Sequence, residues 1–284
     1  MDIPKGILIP IGGNEDKGEN EHEGLDFITE GILYHVVNES GGKDAKIVVI
    51  PTASSIPKIV GKNYKKAFKK LECTNVKVAK IKKRSKCEDE KILNMIAEAD
   101  CIMFSGGDQS RISAIIGGTA VHDLIAKKYK NEKCVIAGTS AGAMAMASHM
   151  IAGGSPSESF IKGAVRMKKG LHLIPELVVD THFVRRGRFG RLAEAVAIHP
   201  GLIGVGLAED TGIIIRNHHD FQIIGSGMVI VMDAGELGHN AHSVLKKGTP
   251  MTMSNLKTHI LANGDRFDLK SRMVHVLALE EKFI

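Results

Sequence analysis

The residues best suited to covalent chemistry lie in Gly138-Thr139-Ser140-Ala141-Gly142. A serine hydroxyl can attack a carbonyl only when it is exposed and rigidly held, and one solution is a sharp turn between a strand and a helix. The flanking positions must then be small, because the turn brings backbone segments together. Gly138 and Gly142 meet that need. The apolar run 134–137 supplies the strand, and the small residues 141–147 supply the helix. The backbone N–H of Ala141, at the helix start, faces any oxyanion formed at Ser140. The five-residue pattern is weak by itself, since a Gly-rich turn packing a helix on a sheet also produces it. The strand before it and the helix after it favour the nucleophile.

A second turn, Phe104-Ser105-Gly106-Gly107-Asp108-Gln109, also follows an apolar run and precedes a helical one. In a parallel sheet both turns fall at the carboxyl edge, where ligands bind. The Gly107 N–H is therefore a candidate second oxyanion donor. The alternatives are a phosphate-binding turn or an ordinary strand-to-helix connection.

A serine nucleophile needs a base, and the base needs an orienting acid. Of the 13 histidines, His182 ends the apolar run in Val178-Val179-Asp180-Thr181-His182-Phe183, again at the carboxyl edge. His35, His122 and His199 fall in helical stretches, and His218 and His219 in a turn. The acid is open on spacing alone. Glu158 lies between Ser140 and His182 in the chain, while Asp180, Glu209 and Asp210 are rivals. Just beyond His182 come Arg185, Arg186, Arg188 and Arg191. Arginine holds a carboxylate with two parallel hydrogen bonds, so this cluster suggests a carboxylate pocket. The alternative is an exposed basic loop.

The elements that must position these groups alternate along the first two-thirds of the chain. Strands are expected at 6–11, 46–50, 76–81, 101–104 and 134–137. Helices are expected at 25–37, 61–71 and 89–99, then up to residue 129, and from 141. This order predicts an α/β fold with a parallel sheet covered by helices on both faces. The last third changes to short strands at 204–207, 211–216, 221–224 and 228–232, read as antiparallel hairpins that finish the sheet. The acidic stretch 15–23 reads as a surface loop. No linker or repeat divides the chain, so one domain over 1–284 is expected.

Apolar residues make up 43% of the 284, enough for a sizeable core, yet Trp is absent. That core must come from Val, Ile, Leu, Met and Ala. The net charge of +6 is mild, with its excess at 58–70 and 77–86. These stretches read as a solvated helix face and a charged loop, because no nucleic-acid-binding motif accompanies them. The cysteines, Cys73, Cys87, Cys101 and Cys134, fit no zinc spacing and suit a reducing compartment. Residues 1–5 lack an apolar signal core, and no run is long enough to span a bilayer. A soluble cytoplasmic protein is the expectation, without nucleic-acid or membrane partners.

Several ordered motifs together resemble the cyanophycinases, of the serine peptidase family that also contains aspartyl dipeptidases. They are Ile11-Gly12-Gly13-Asn14-Glu15-Asp16-Lys17, Ile50-Pro51-Thr52-Ala53-Ser54-Ser55, Gly106-Gly107-Asp108-Gln109, Gly138-Thr139-Ser140-Ala141-Gly142-Ala143, Ile151-Ala152-Gly153-Gly154, Asp180-Thr181-His182-Phe183 and the stretch 204–211. The resemblance covers nearly the whole chain. It implies a three-layer sandwich with a mostly parallel central sheet, similar to class I glutamine amidotransferases. It implies a triad of Ser140, Glu158 and His182. It also implies a substrate pocket of Gln109, Asp180, Arg186, Arg188 and Arg191, a homodimer, and no metal or cofactor. Thr181 stands where the family motif has Gln and belongs to the same pocket, with a shorter reach. The implied activity is release of β-aspartyl-arginine dipeptides from the C-terminal end of cyanophycin, a poly-aspartate carrying arginine on each β-carboxyl. A dipeptidase for short aspartyl or isoaspartyl peptides would use the same triad. A non-catalytic binder of acidic ligands would need only the arginines. An α/β-hydrolase esterase fits less well, because a third of the chain follows His182.

Overall fold

The structure is a computed structural model that describes residues 3–18, 25–154, 158–240 and 242–278. The first half runs β1 (Ile7–Ile11), α1 (Ile32–Glu39), β2 (Ile47–Ile50), α2 (Pro57–Lys70), β3 (Val76–Val78), α3 (Glu90–Ala97), β4 (Cys101–Phe104), α4 (Gln109–Ile116), α5 (Ala120–Asn131), β5 (Val135–Thr139) and α6 (Ala141–Met146). A ribbon of β6 (His149–Gly153) and β7 (Arg166–Lys169) follows. Then come β8 (Leu177–Asp180), α7 (Phe189–Ile198), β9 (Ile203–Leu207), β10 (Thr211–Arg216), β11 (Asp220–Gly225) and β12 (Val229–Asp233). The chain closes with β13 (His239–Asn240), β14 (Met253–Ser254), β15 (Lys257–Leu261), β16 (Arg266–Asp268) and β17 (Val274–His275).

The main sheet has the order β17-β16-β11-β10-β1-β5-β4-β2-β3. From β1 through β5, β4 and β2 to β3 every pairing is parallel. From β1 through β10, β11 and β16 to β17 every pairing is antiparallel. The expected α/β architecture with antiparallel C-terminal strands is therefore present. The central strands are continuous apolar runs, such as Ile-Val-Val-Ile in β2, because both of their faces are covered. Ile47, Val49 and Met103 point to the layer holding Val36, Tyr64 and Phe68 of α1 and α2. Val48, Ile50 and Ile102 point the other way, toward Ile96, Ile112, Ile125 and Met144 of α3 to α6.

Two strands expected to finish this sheet do otherwise. β9 and β12 join β8 and β15 in a second sheet, ordered β15-β12-β9-β8. Val179, Val205 and Val231 of that sheet pack into the same core as α6. An apolar run of five residues carries no mark of which sheet it joins. The helix expected at 25–37 starts only at Ile32, because the Asp26 carboxylate folds the chain into a turn by accepting the N–H groups of Ile28 and Thr29. α2 starts earlier than expected, since Pro57 is suited to the first turn of a helix. All four cysteines are free and buried, and burial pushes the Cys134 thiol up to about 12, so no cysteine competes as a nucleophile. Among the described residues, no helix is long and apolar enough to cross a membrane.

The β5–α6 turn depends on its glycines. A Cβ on Gly142 would stand 2.6 Å from the Phe104 carbonyl oxygen of β4. The helix can therefore lie on the sheet only where that side chain is missing. Gly142→Ala should lower the unfolding free energy by about 1–3 kcal/mol, as overpacking does. Urea denaturation would measure this, and an unchanged midpoint at unchanged slope would contradict it.

Candidate active site

Ser140 sits between β5 and α6 at φ 50° and ψ −111°, in the left-handed half of backbone space that non-glycine residues avoid. That conformation costs on the order of 1–3 kcal/mol and survives only where surrounding contacts enforce it. Here the contact comes from the end of β1. The Ser140 N–H donates to the Ile11 carbonyl at 2.9 Å. The next carbonyl, Gly12, accepts from the His182 N–H at 2.8 Å. The next, Gly13, accepts from the Asp210 N–H at 2.9 Å. Successive peptide units thus hold three segments that come from both sheets. A Cβ on Gly12 would fall 1.7 Å from the Ala208 carbonyl oxygen, so only glycine permits the approach.

The side chains form a relay. The Ser140 Oγ lies 3.0 Å from His182 Nε2. His182 Nδ1 lies 2.6 Å from Glu209 Oε1. An ionised carboxylate only accepts, so Nδ1 carries the proton and Nε2 is left to accept from the serine hydroxyl. Arg185 donates to the second oxygen of Glu209 at 2.7 Å, which fixes the carboxylate from behind.

Glu158, the acid that the resemblance implies, is exposed and makes no contact with His182; Glu209 occupies that place. The reason lies in strand pairing. β8 and β9 run parallel with Asp180 beside Gly206, so the residues just past each strand emerge together. The signal available in the sequence was the one that found His182: Glu209 also follows an apolar run at a carboxyl edge. Residues 155–157, just before Glu158, lie outside the described residues.

The cleft beside Ser140 has a volume of about 510 Å³ and is bordered by His182, Gly106, Gly107, Thr139 and Arg186. Gly107 borders this cleft, and Ala141 opens α6 directly after Ser140. Another part of the cleft's lining, Glu15, Lys17 and Tyr64, was not foreseen. Glu15, expected in a surface loop, is 4% exposed. Its carboxylate accepts from Tyr64 Oη at 2.5 Å, Thr139 Oγ1 at 2.5 Å and Lys17 Nζ at 2.8 Å. Burial pushes this carboxyl up, but the Lys17 charge and these hydrogen bonds outweigh it and leave it lowered. Lys17, paired with Glu15, borders the cleft, as does Arg186. Residues 19–24 of the acidic stretch lie outside the described residues.

Most of the expected pocket residues are engaged in hydrogen bonds within the protein. The Asp180 side chain is fully buried and accepts from Arg191 Nε at 2.8 Å, Arg191 Nη2 at 2.5 Å and Arg188 Nη1 at 3.1 Å. A buried carboxylate requires such partners. Asp180 and Arg191 are thus occupied with each other, and Arg188 also donates to the Thr181 carbonyl at 2.6 Å. Burial pushes the Arg188 guanidinium down to about 10, still cationic at neutral pH. Thr181 is fully buried, with its hydroxyl on the Met144 sulfur at 3.3 Å, so its difference from the family motif acts on packing. Gln109 spends its amide N–H on the Ile151 carbonyl at 2.8 Å. Of the expected set, Arg186 borders the cleft.

The comparisons with known proteins agree with this geometry. The family model described as "Peptidase family S51" matches residues 17–223. The chain is similar to the cyanophycinase of Trichormus variabilis, at 36% identity over 270 residues, 95% of this chain and 88% of that protein. It is similar to the cyanophycinase of Geminocystis herdmanii, at 34% over 264 residues, 93% and 94%. The crystal structure of a peptidase from an acI-B1 Actinobacterium shares the fold with a TM-score of 0.60, covering 91% of this chain and 98% of that one at 19% identity.

The surroundings of His182 set its titration. Burial lowers its pKa below the ordinary 6.5, the Glu209 hydrogen bond opposes that, and the Arg186 charge adds to the lowering. An NMR titration should therefore find the His182 midpoint below 6.5. Arg186→Met removes a repelling cation and should move the midpoint up. Glu209→Gln removes the group that favours the imidazolium and should move it down. Shifts of the opposite signs would contradict this environment.

Proposed function

This chain belongs to peptidase family S51 and is a serine-type peptidase; on that premise we propose that it hydrolyses cyanophycin to β-aspartyl-arginine dipeptides, as an exopeptidase, through an acyl-enzyme. The observation that carries the reading is the relay from Ser140 Oγ to His182 Nε2 at 3.0 Å and from Nδ1 to Glu209 at 2.6 Å. The cyanophycinases at 34–36% identity support the substrate.

In this reading Ser140 attacks the peptide carbonyl as its proton passes to His182 Nε2. Glu209 holds the imidazole in the productive tautomer and stabilises its positive charge. The N–H groups of Ala141 and Gly107 face the oxyanion. His182 then protonates the leaving amine, and water repeats the sequence on the acyl-enzyme. Arg186 and Lys17, both bordering the cleft, meet carboxylates of the substrate. The chemistry draws on side chains and backbone alone. The reading extends to a single domain acting as a homodimer in the cytoplasm, where buried free thiols such as Cys101 and Cys134 stay reduced.

Incubation with insoluble cyanophycin tests the proposal directly. The expected result is β-aspartyl-arginine as product, with Ser140→Ala slower by at least about a thousandfold. Cleavage of free isoaspartyl dipeptides without cleavage of the polymer would transfer the site to a dipeptidase. Unchanged polymer hydrolysis in Ser140→Ala would overturn the nucleophile.

A further inference from the structure

The two basic stretches, separate in the sequence, meet in the folded chain. Lys58, Lys62 and Lys65 of α2 border one side of a cleft of about 540 Å³, and Lys77, Lys80 and Lys82, on β3 and just beyond it, border the other. Arg111 of α4 adds a seventh cation, and no acidic side chain borders this cleft. Among the described residues, Lys77 pairs with Glu98 at 3.8 Å, while the other six cations form no ion pair. Between the rows the floor is apolar, formed by Pro51, Val78, Ile81 and Met95.

The spacing of the rows limits what fits. Lysines three and four apart on a helix stand about 5–6 Å apart along one face. Past the end of β3 the chain turns tightly, with the Ile81 N–H donating to the Ala79 carbonyl at 3.0 Å, and it buries Ala79 and Ile81 while leaving Lys80 and Lys82 exposed. An extended peptide repeats its side chains on one face roughly every 6.6 Å, close to the interval of the α2 row. The cleft thus presents seven cations and no acidic side chain to a chain that carries carboxylates. The apolar floor suits the aliphatic stems of such side chains.

We propose that this cleft is a second binding site, for an acidic peptide segment rich in Asp and Glu. It is distinct from the catalytic cleft, and α2 stands between the two: Val60 and Tyr64 border the catalytic side, Gly61 and Lys62 the basic side. Cyanophycin itself fits poorly, because each of its units carries a guanidinium for every free carboxylate and this cleft holds no acid to meet it. Single-stranded nucleic acid is bound on aromatic stacking platforms, and no aromatic side chain borders the cleft.

The site touches the catalytic machinery at one point. Thr52 and Ser54 border the basic cleft, and the Ala53 carbonyl between them accepts the Asp108 N–H at 3.0 Å, beside the Gly107 turn.

Fluorescence anisotropy with a dye-labelled glutamate oligopeptide tests the proposal. The wild-type chain should bind it saturably, more weakly as salt rises. Lys62→Glu/Lys80→Glu/Lys82→Glu should weaken binding at least about tenfold without a change in melting temperature. Lys127→Glu/Lys133→Glu/Lys270→Glu carries the same change in net charge away from the cleft and should bind within about threefold of wild type. Equal weakening in both variants, or no binding at low salt, would overturn the site. A single-stranded oligonucleotide of equal charge binding more tightly than the peptide would overturn the occupant. None of these outcomes depends on hydrolysis of cyanophycin, so this site and the proposed activity stand or fall separately.

Discussion

Three consecutive carbonyls at the end of β1 hold the catalytic geometry together. Ile11 fixes the backbone of Ser140, Gly12 that of His182, and Gly13 that of Asp210, whose neighbour Glu209 completes the relay. Ser140 belongs to the main sheet, whereas His182 and Glu209 follow strands of the second sheet. Without a common backbone ruler, two sheets packed through side chains would leave the relay distances to chance. Backbone hydrogen bonds to adjacent residues limit that freedom to the flexing of a few peptide units, which is the rigidity that catalysis by positioning requires. Gly12 makes this possible, since the segment approaches the Ala208 carbonyl closer than any side chain would allow.

The charges follow from this frame. Buried between arginines, Asp180 stiffens the segment that leads into His182 and leaves the cleft itself to Arg186 and Lys17. Glu15, at the border of the cleft, is held by Lys17, Tyr64 and Thr139. Lys17 and Arg186 border a cleft whose supporting carboxylates, Glu15 and Asp180, are both tied up in hydrogen bonds. Buried ion pairs are weak contributors to stability, and what they supply here is orientation.

Much of this was legible in the sequence. Apolar runs between helical stretches identified the parallel half of the sheet, because strands buried on both faces must be apolar throughout. Small residues around Ser140, and a histidine just past an apolar run, located two members of the relay. The third was out of reach by spacing, because nothing in the run 203–207 shows that it lies parallel to 177–180. The burial of Asp180, Thr181 and Arg191 was out of reach for a related reason. Charged or polar residues beside a catalytic histidine suggest contact with substrate, and only packing reveals that these three point inward. The basic stretches read as solvated surface because their meeting across a cleft is a tertiary fact.

The central claim is that Glu209, held in register by the β1 carbonyls, orients His182. Single-turnover hydrolysis by Glu209→Gln and Glu158→Gln, side by side, tests it most directly. An amide at Glu209 cannot stabilise the imidazolium and permits the wrong tautomer, so that variant should lose about a thousandfold or more in rate. Glu158→Gln should stay within about threefold of wild type, as expected for an exposed side chain away from the relay. The reverse pattern, a crippled Glu158→Gln beside a nearly unaffected Glu209→Gln, would contradict the account.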